Sequence, residues 1–201
     1  MPKHIVIIQG HPDPKEDRFC HALANAYAQG ARESNHEVET IPVSQLDFTV
    51  LRTKEDFETG PVPPSIQKSQ QFIRQADHLV IFYPLWLGTM PALLKAFFEQ
   101  TFRYGFALGK EDGFALGKEG RMPEGLLKGK SARIVVTMGM PAFIYRWYFG
   151  AHSLKSLERN ILKLSGIGPI KESLIGMIDE SDNKNREKWL EKMFSLGQSG
   201  N

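Results

Sequence analysis

The sequence predicts an α/β chain folded as a three-layer sandwich around a five-stranded parallel sheet of order 2-1-3-4-5. Three observations carry this expectation. Short, unbroken apolar runs rich in β-branched residues, such as Ile5-Val6-Ile7-Ile8, suit strands buried on both faces. Apolar stripes at helical spacing lie between those runs. The two kinds of segment alternate, which implies βαβ units with right-handed crossovers, and five strands connected in this way suit the doubly wound order.

In chain order, Ile5–Ile8 is the first strand. Phe19, Leu23, Ala26 and Tyr27 mark the first helix, and Glu37 to Val43 is a weaker strand candidate. Pro64-Ser65 opens a helix carried by Ile66, Ile73 and Ala76, since the first helical turn does not need the N–H that proline lacks. Leu79 to Tyr83 is the third strand. Leu93, Leu94, Phe97, Phe98 and Phe102 form the next stripe, and Ile134-Val135-Val136 the fourth strand. Leu154, Leu157, Ile161 and Leu164 mark a helix that Gly166 stops; Ser173 to Ile178 is read as the fifth strand. Trp189, Leu190, Met193 and Phe194 mark the last helix. No linker interrupts this series, so residues 1–201 are expected to form one domain. The uncharged stretch from Leu79 to Leu94 is broken by Pro84, Gly88 and Pro91. A spanning helix needs about 20 predominantly apolar residues, so a strand, a turn and a helix start are expected here instead of a membrane segment.

Composition narrows the function. The 25 Lys+Arg against 23 Asp+Glu leave +2, with no basic block, which argues against a dedicated nucleic-acid binder. Cys20 is alone, so an intrachain disulfide and a Cys-rich metal site are excluded, and no metal site is expected. The chain enters its first strand without a secretory signal pattern, and a reducing cytoplasm is the expected compartment. Gly105-Phe106-Ala107-Leu108-Gly109-Lys110-Glu111 recurs, after Asp112, at Gly113 to Glu119. Two short copies do not make a solenoid; the repeat lengthens a loop, as either a neutral insertion or an altered lid.

In a doubly wound sheet the ligand lies beyond the carboxyl ends of the strands, so three loops matter. Gln9 to Phe19 leaves the first strand at Gly10 and feeds a helix N-terminus, whose free N–H groups and dipole favour an anion; His11, Lys15 and Arg18 can add positive charge. It is neither a G-x-G-x-x-G nor a Walker A loop, and Asp17 can instead serve as a helix cap. Pro84 to Ala92 is apolar and aromatic where loops are ordinarily polar, which suits a flat ligand, a subunit interface, or both. The third, Thr137 to Tyr145, continues to Trp147, Tyr148 and His152. Tyr145 and His152 can form a proton-handling pair, or His152 can simply start the next helix.

Together these loops resemble those of the flavodoxin-like NAD(P)H:quinone oxidoreductase family, the family of DT-diaphorase and bacterial quinone reductases. The motifs are Pro84 to Ala92 with Leu94-Lys95 and Gly105-Phe106-Ala107, Thr137-x-Gly139 with Tyr145 and His152, and His11 after the first strand. The resemblance spans His4 to about Ile178. It implies a flavodoxin-like sandwich and a flavin, FAD or alternatively FMN. The His11 to Phe19 loop, including Asp17 and Arg18, would hold the phosphate. Pro84, Leu85, Trp86 and Leu87 would line the isoalloxazine, and Thr137, Gly139 and Tyr145 its other side. Tyr145 and His152 would be catalytic. NADPH or NADH would be the donor and a quinone-like molecule the acceptor, in ping-pong hydride transfer by a cytoplasmic homodimer with no nucleic-acid partner and no stable membrane insertion. A one-electron carrier and a flavin-binding regulatory subunit of a potassium-efflux system are the rival readings. The chain departs from the family at Lys15, Glu16 and Asp17, where the phosphate loop usually carries Ser or Thr, and at Met140, where a second Gly is usual.

Overall fold

Five strands form one parallel sheet: β1 (His4–Gln9), β2 (Glu37–Pro42), β3 (His78–Pro84), β4 (Ser131–Thr137) and β5 (Ile170–Ile175), paired in the order β2-β1-β3-β4-β5. The computed structural model describes residues 1–109, 124–180 and 182–201, so the second copy of the repeat lies outside the described residues. Strand order and fold class agree with expectation.

The apolar runs are buried because alternate side chains serve opposite layers. Ile5, Ile7, Val80, Phe82 and Val135 pack against α1 (Phe19–Glu33) and α7 (Asn183–Gln198). Val6, Ile8, Leu79, Ile81, Ile134 and Val136 face the layer containing α3 (Pro64–Gln75) and α4 (Ala92–Thr101). Two helical pieces at the third loop, α5 (Ala142–Trp147) and α6 (His152–Ser156), lead into a π-helical stretch at Leu157–Lys163.

Three details differ from the sequence reading. β5 lies three residues earlier than Ser173 to Ile178, because it is an edge strand whose second and third residues, Lys171 and Glu172, are polar and exposed. A short helix, α2 (Lys54–Glu58), was not foreseen; its capping box pairs Thr53 with Asp56. The stripe from Leu154 to Leu164 divides between α6 and the π stretch. No helix among the described residues is long and apolar enough to cross a membrane.

The register sets up the site. Pro84 pairs with Thr137 and Gln9 with Phe82, so the loops after β1, β3 and β4 leave the sheet side by side. Gly10 is required here: its N–H donates to Phe82 O at 2.7 Å, and a Cβ at this position would lie 2.9 Å from that oxygen and 2.6 Å from Leu94.

Candidate functional site

A groove of about 610 Å³ lies at the carboxyl end of the sheet, lined by residues of the three loops and of the segment after β5. Its β1 wall contains His11, Asp17, Arg18 and Phe19. Pro84, Leu85 and Trp86 form the β3 wall, and Thr137 and Gly139 the β4 wall. The fold thus gathers nine of the proposed ligand-binding residues. Leu87, Tyr145 and His152 are not part of this wall.

The first loop is organised by Asp13. Its carboxylate accepts Lys15 N at 3.0 Å and both Nε and Nη2 of Arg18 at 2.8 and 2.7 Å. Asp17 lies 3.6 Å from Arg18 Nε as well. The backbone N–H of Lys15, then Arg18, hold the Asp13 carboxyl below its ordinary range. Arg18 is therefore already neutralised by two acids and is not a free cation. Asp17 does not cap α1: the cap position is Arg18, without a side-chain hydrogen bond. His21 and Ala22 N–H groups return to Arg18 O, while Phe19 and Cys20 stand at the first two helical positions, where α-helical N–H groups have no intrahelical partner. This end of α1 presents backbone donors and a favourable dipole to the groove.

His11 and His21 are buried side by side, ring centroids 5.3 Å apart, and Trp86 stands edge-on to His11 at 6.4 Å. Burial first, then His21, hold the His11 pKa below its usual value. Cys20, beneath the loop, is pushed up to about 12 by burial, so its thiol stays protonated.

The second loop is a tight hairpin. Trp86 and Thr89 exchange backbone hydrogen bonds of 2.8 and 2.9 Å, and the two residues between them, Leu87 (φ 47°) and Gly88 (φ 78°), are left-handed. This is the two-residue turn with positive φ at both centres, unusual in having Leu at the first. Leu87 stands fully in solvent, whereas Trp86 is half exposed at the groove edge. Leu85 N–H is spent on Thr137 O at 2.7 Å.

Tyr145 is buried in the corner between α5 and α6, where its hydroxyl accepts Leu154 N–H at 3.2 Å. Burial raises its pKa, so it is a neutral hydroxyl with a proton to donate. His152 is exposed at the start of α6. Phe143, Trp147, Tyr148 and Phe149 are also exposed around this corner.

Sequence reasoning missed Asp13, Asp179 and Arg186. Asp179 carboxylate lies 2.7 Å from where a Cβ on Gly139 would stand, so the glycine makes room for it. Arg186, on α7, stacks over the Phe19 ring at 5.3 Å, donates to Ile178 O at 3.0 Å, and keeps a buried Nε without a partner. Arg186 follows the fifth strand and reaches the groove only through the α1–α7 packing, so no local motif marks it.

Comparison with known proteins extends this geometry. A family model described as a flavodoxin-like fold matches residues 3–195. An uncharacterized NAD(P)H oxidoreductase of Haemophilus influenzae is 29% identical over 190 residues, covering 92% of this chain and 90% of that protein. The human ribosyldihydronicotinamide dehydrogenase [quinone] is 30% identical over 166 residues, 71% of this chain and 66% of that protein. The structure of an NAD(P)H:quinone oxidoreductase from Methanothermobacter marburgensis superposes with a TM-score of 0.78 at 22% identity, covering 99% and 97% of the two chains.

Proposed function

The chain belongs to the flavodoxin-like family, and from that premise we propose that it is a cytoplasmic, homodimeric flavoenzyme that oxidises NADH or NADPH and reduces a quinone or similar flat electrophile. The observation that carries the reading is the groove: a half-exposed indole and apolar loop on one side, and the uncapped start of α1 on the other. These residues fit a flavin. Pro84, Leu85 and Trp86 offer a flat apolar wall, and the α1 N–H groups offer an anion site.

The charges favour FAD over FMN. Asp13 and Asp17 outweigh Arg18 beside the helix start. A phosphate monoester concentrates up to −2 on one phosphate at neutral pH, which this acidic surround repels more strongly than the same charge spread over the two phosphates of a pyrophosphate. The Phe19–Arg186 stack supplies a further flat surface suited to an adenine.

When bound, the flavin would supply the acceptance and donation of hydride. The protein's share is to hold the ring between the hairpin and the β4 loop, to exclude water with Trp86, and to offer protons. Tyr145, in α5, and His152, at the start of α6, are proposed for the last role. The exposed Phe143, Trp147, Tyr148 and Phe149, within seven residues of one another, support the homodimer, which would cover them.

The test is mass spectrometry of the released cofactor, followed by steady-state turnover of NADH and NADPH with a benzoquinone and a naphthoquinone. FAD and turnover are expected. FMN alone would overturn the charge argument. A flavin with no pyridine-nucleotide turnover would favour an electron carrier.

A further inference from the structure

We infer that Asp13, backed by His21, is a positioning residue that fixes the tautomer of His11 and makes this ring a hydrogen-bond donor to an oxygen of the molecule in the groove. The consequence for a cofactor rests on the flavin reading above; the tautomer itself does not.

Asp13 is held between Pro12 and Pro14, which restrict the chain on either side of it. Every polar group of Asp13 is used. Its N–H donates to His11 Nδ1 at 3.1 Å, its carbonyl accepts His21 Nε2 at 2.9 Å, and its carboxylate takes Lys15 N and Arg18. A backbone N–H can only donate, so Nδ1 of His11 must accept and bear no proton. A neutral imidazole then carries its proton on Nε2. The opposite tautomer would donate from Nδ1 to Asp13 O, 3.2 Å away. That arrangement would set the Nδ1–H against the Asp13 N–H, at a carbonyl His21 already supplies. An imidazolium would need the same Nδ1 proton and meets the same obstacle.

With Nδ1 turned to Asp13 and the ring lining the groove, Nε2 is the remaining nitrogen, and among the described residues it has no protein partner. It is an N–H donor ready for a phosphate or carbonyl oxygen. His21 lies outside the groove wall, and its contribution is indirect: it takes one of the two lone pairs of Asp13 O and so weakens the competing acceptor.

Long-range 1H–15N correlation spectra of the full-length protein as purified, assigned with His11→Gln and His21→Gln, read the tautomer directly. The expected His11 signature is a protonated Nε2 and a bare Nδ1 at pH 7.5; an Nδ1–H tautomer or an imidazolium overturns the inference. The role is read by flavin affinity. Gln places its amide near the Nε2 position and Asn near Nδ1. His11→Gln should keep the Kd for FAD within a few-fold, whereas His11→Asn should weaken it about tenfold to a hundredfold, the range for one hydrogen bond to a charged group. Equal loss in both, or none in either, overturns the donor role. His21→Leu should shift His11 toward Nδ1–H; an unchanged tautomer there removes His21 from the scheme. Wild-type protein that shows the Nε2–H signature but binds no flavin would sink the flavin reading and leave the tautomer standing.

Discussion

Replacing Gly197 with Ala should destabilise the protein, although helix propensity alone predicts the reverse. Gly197 lies near the end of α7 and Gly30 near the end of α1, where the two helices meet. A Cβ on Gly197 would stand 2.1 Å from Tyr27 O, and a Cβ on Gly30 would stand 2.1 Å from Phe194 O. Both obstacles are backbone oxygens, which cannot rotate away. To reach ordinary contact α7 must move off α1 by more than an ångström. That movement would loosen Leu23, Tyr27, Ala31 and Met193, all fully buried. Exchanging Gly for Ala in a helix interior gains about 1 kcal/mol. Overpacking a tight interface costs typically about 1–3 kcal/mol, and a backbone clash belongs at the upper end. The net expectation is a loss of about 1–2 kcal/mol, or about 2–8 °C in Tm for a chain of this size. Gly30→Ala should behave likewise. The double variant should lose less than the sum, because separating the helices once relieves both clashes. Urea unfolding of the four proteins, with Cm and m fitted separately, measures this. A Gly197→Ala protein more stable than wild type would refute the packing argument. The same shift would displace Arg186 from Phe19, so flavin affinity should fall in step.

Further outcomes follow from other sites. Leu87→Asn should stabilise the protein by up to about 1 kcal/mol, because Leu87 is left-handed and makes no packing contact to lose, and left-handed backbone costs a Cβ-bearing residue about 1–2 kcal/mol; calorimetry showing Leu87→Asn no better than Leu87→Ala would contradict this. His78 is buried, and burial first, then Lys3 and other cations, hold its pKa down to about 3 from an ordinary 6.5. The unfolded chain therefore takes up a proton below pH 6.5 that the folded one refuses until about pH 3. His78 contributes fully above pH 6.5, and stability should fall by up to about 1.4 kcal/mol per pH unit below it. Urea titrations at pH 7, 6 and 5 should show a flatter profile in His78→Asn; equal slopes would mean His78 is not the titrating group. Tyr145→Phe and His152→Gln should slow flavin reduction, by up to about 10²-fold for loss of one well-placed donor, while leaving flavin bound; stopped-flow rates equal to wild type in both would remove them from the chemistry.

The parts of the fold buried on both faces were legible, because their central residues are an unbroken apolar run, with polar residues such as Gln9, His78, Arg133 and Thr137 toward the strand ends. β1, β3 and β4 read directly from Ile5–Ile8, Leu79–Tyr83 and Ile134–Val136. β5 was displaced because Lys171 and Glu172 lie on the sheet edge, where polar residues are tolerated, and the eye moves to the apolar residues beyond them. α2 has no buried residue and so no stripe; only Thr53 and Asp56, as a capping pair, mark it. In the groove, sequence located the three loops, since their position follows from strand order. It could not show that Arg18 is spent on Asp13, because that depends on how a loop of two prolines turns back on itself. Arg186 was invisible for another reason: its distance from the site closes only when α7 packs on α1.

The central claim is tested most directly by adding NADH or NADPH, without oxygen, to the purified protein and recording its visible spectrum. A yellow protein whose flavin absorbance bleaches, and returns when a quinone is added, is the predicted result. A colourless protein that takes up neither FAD nor FMN would contradict it.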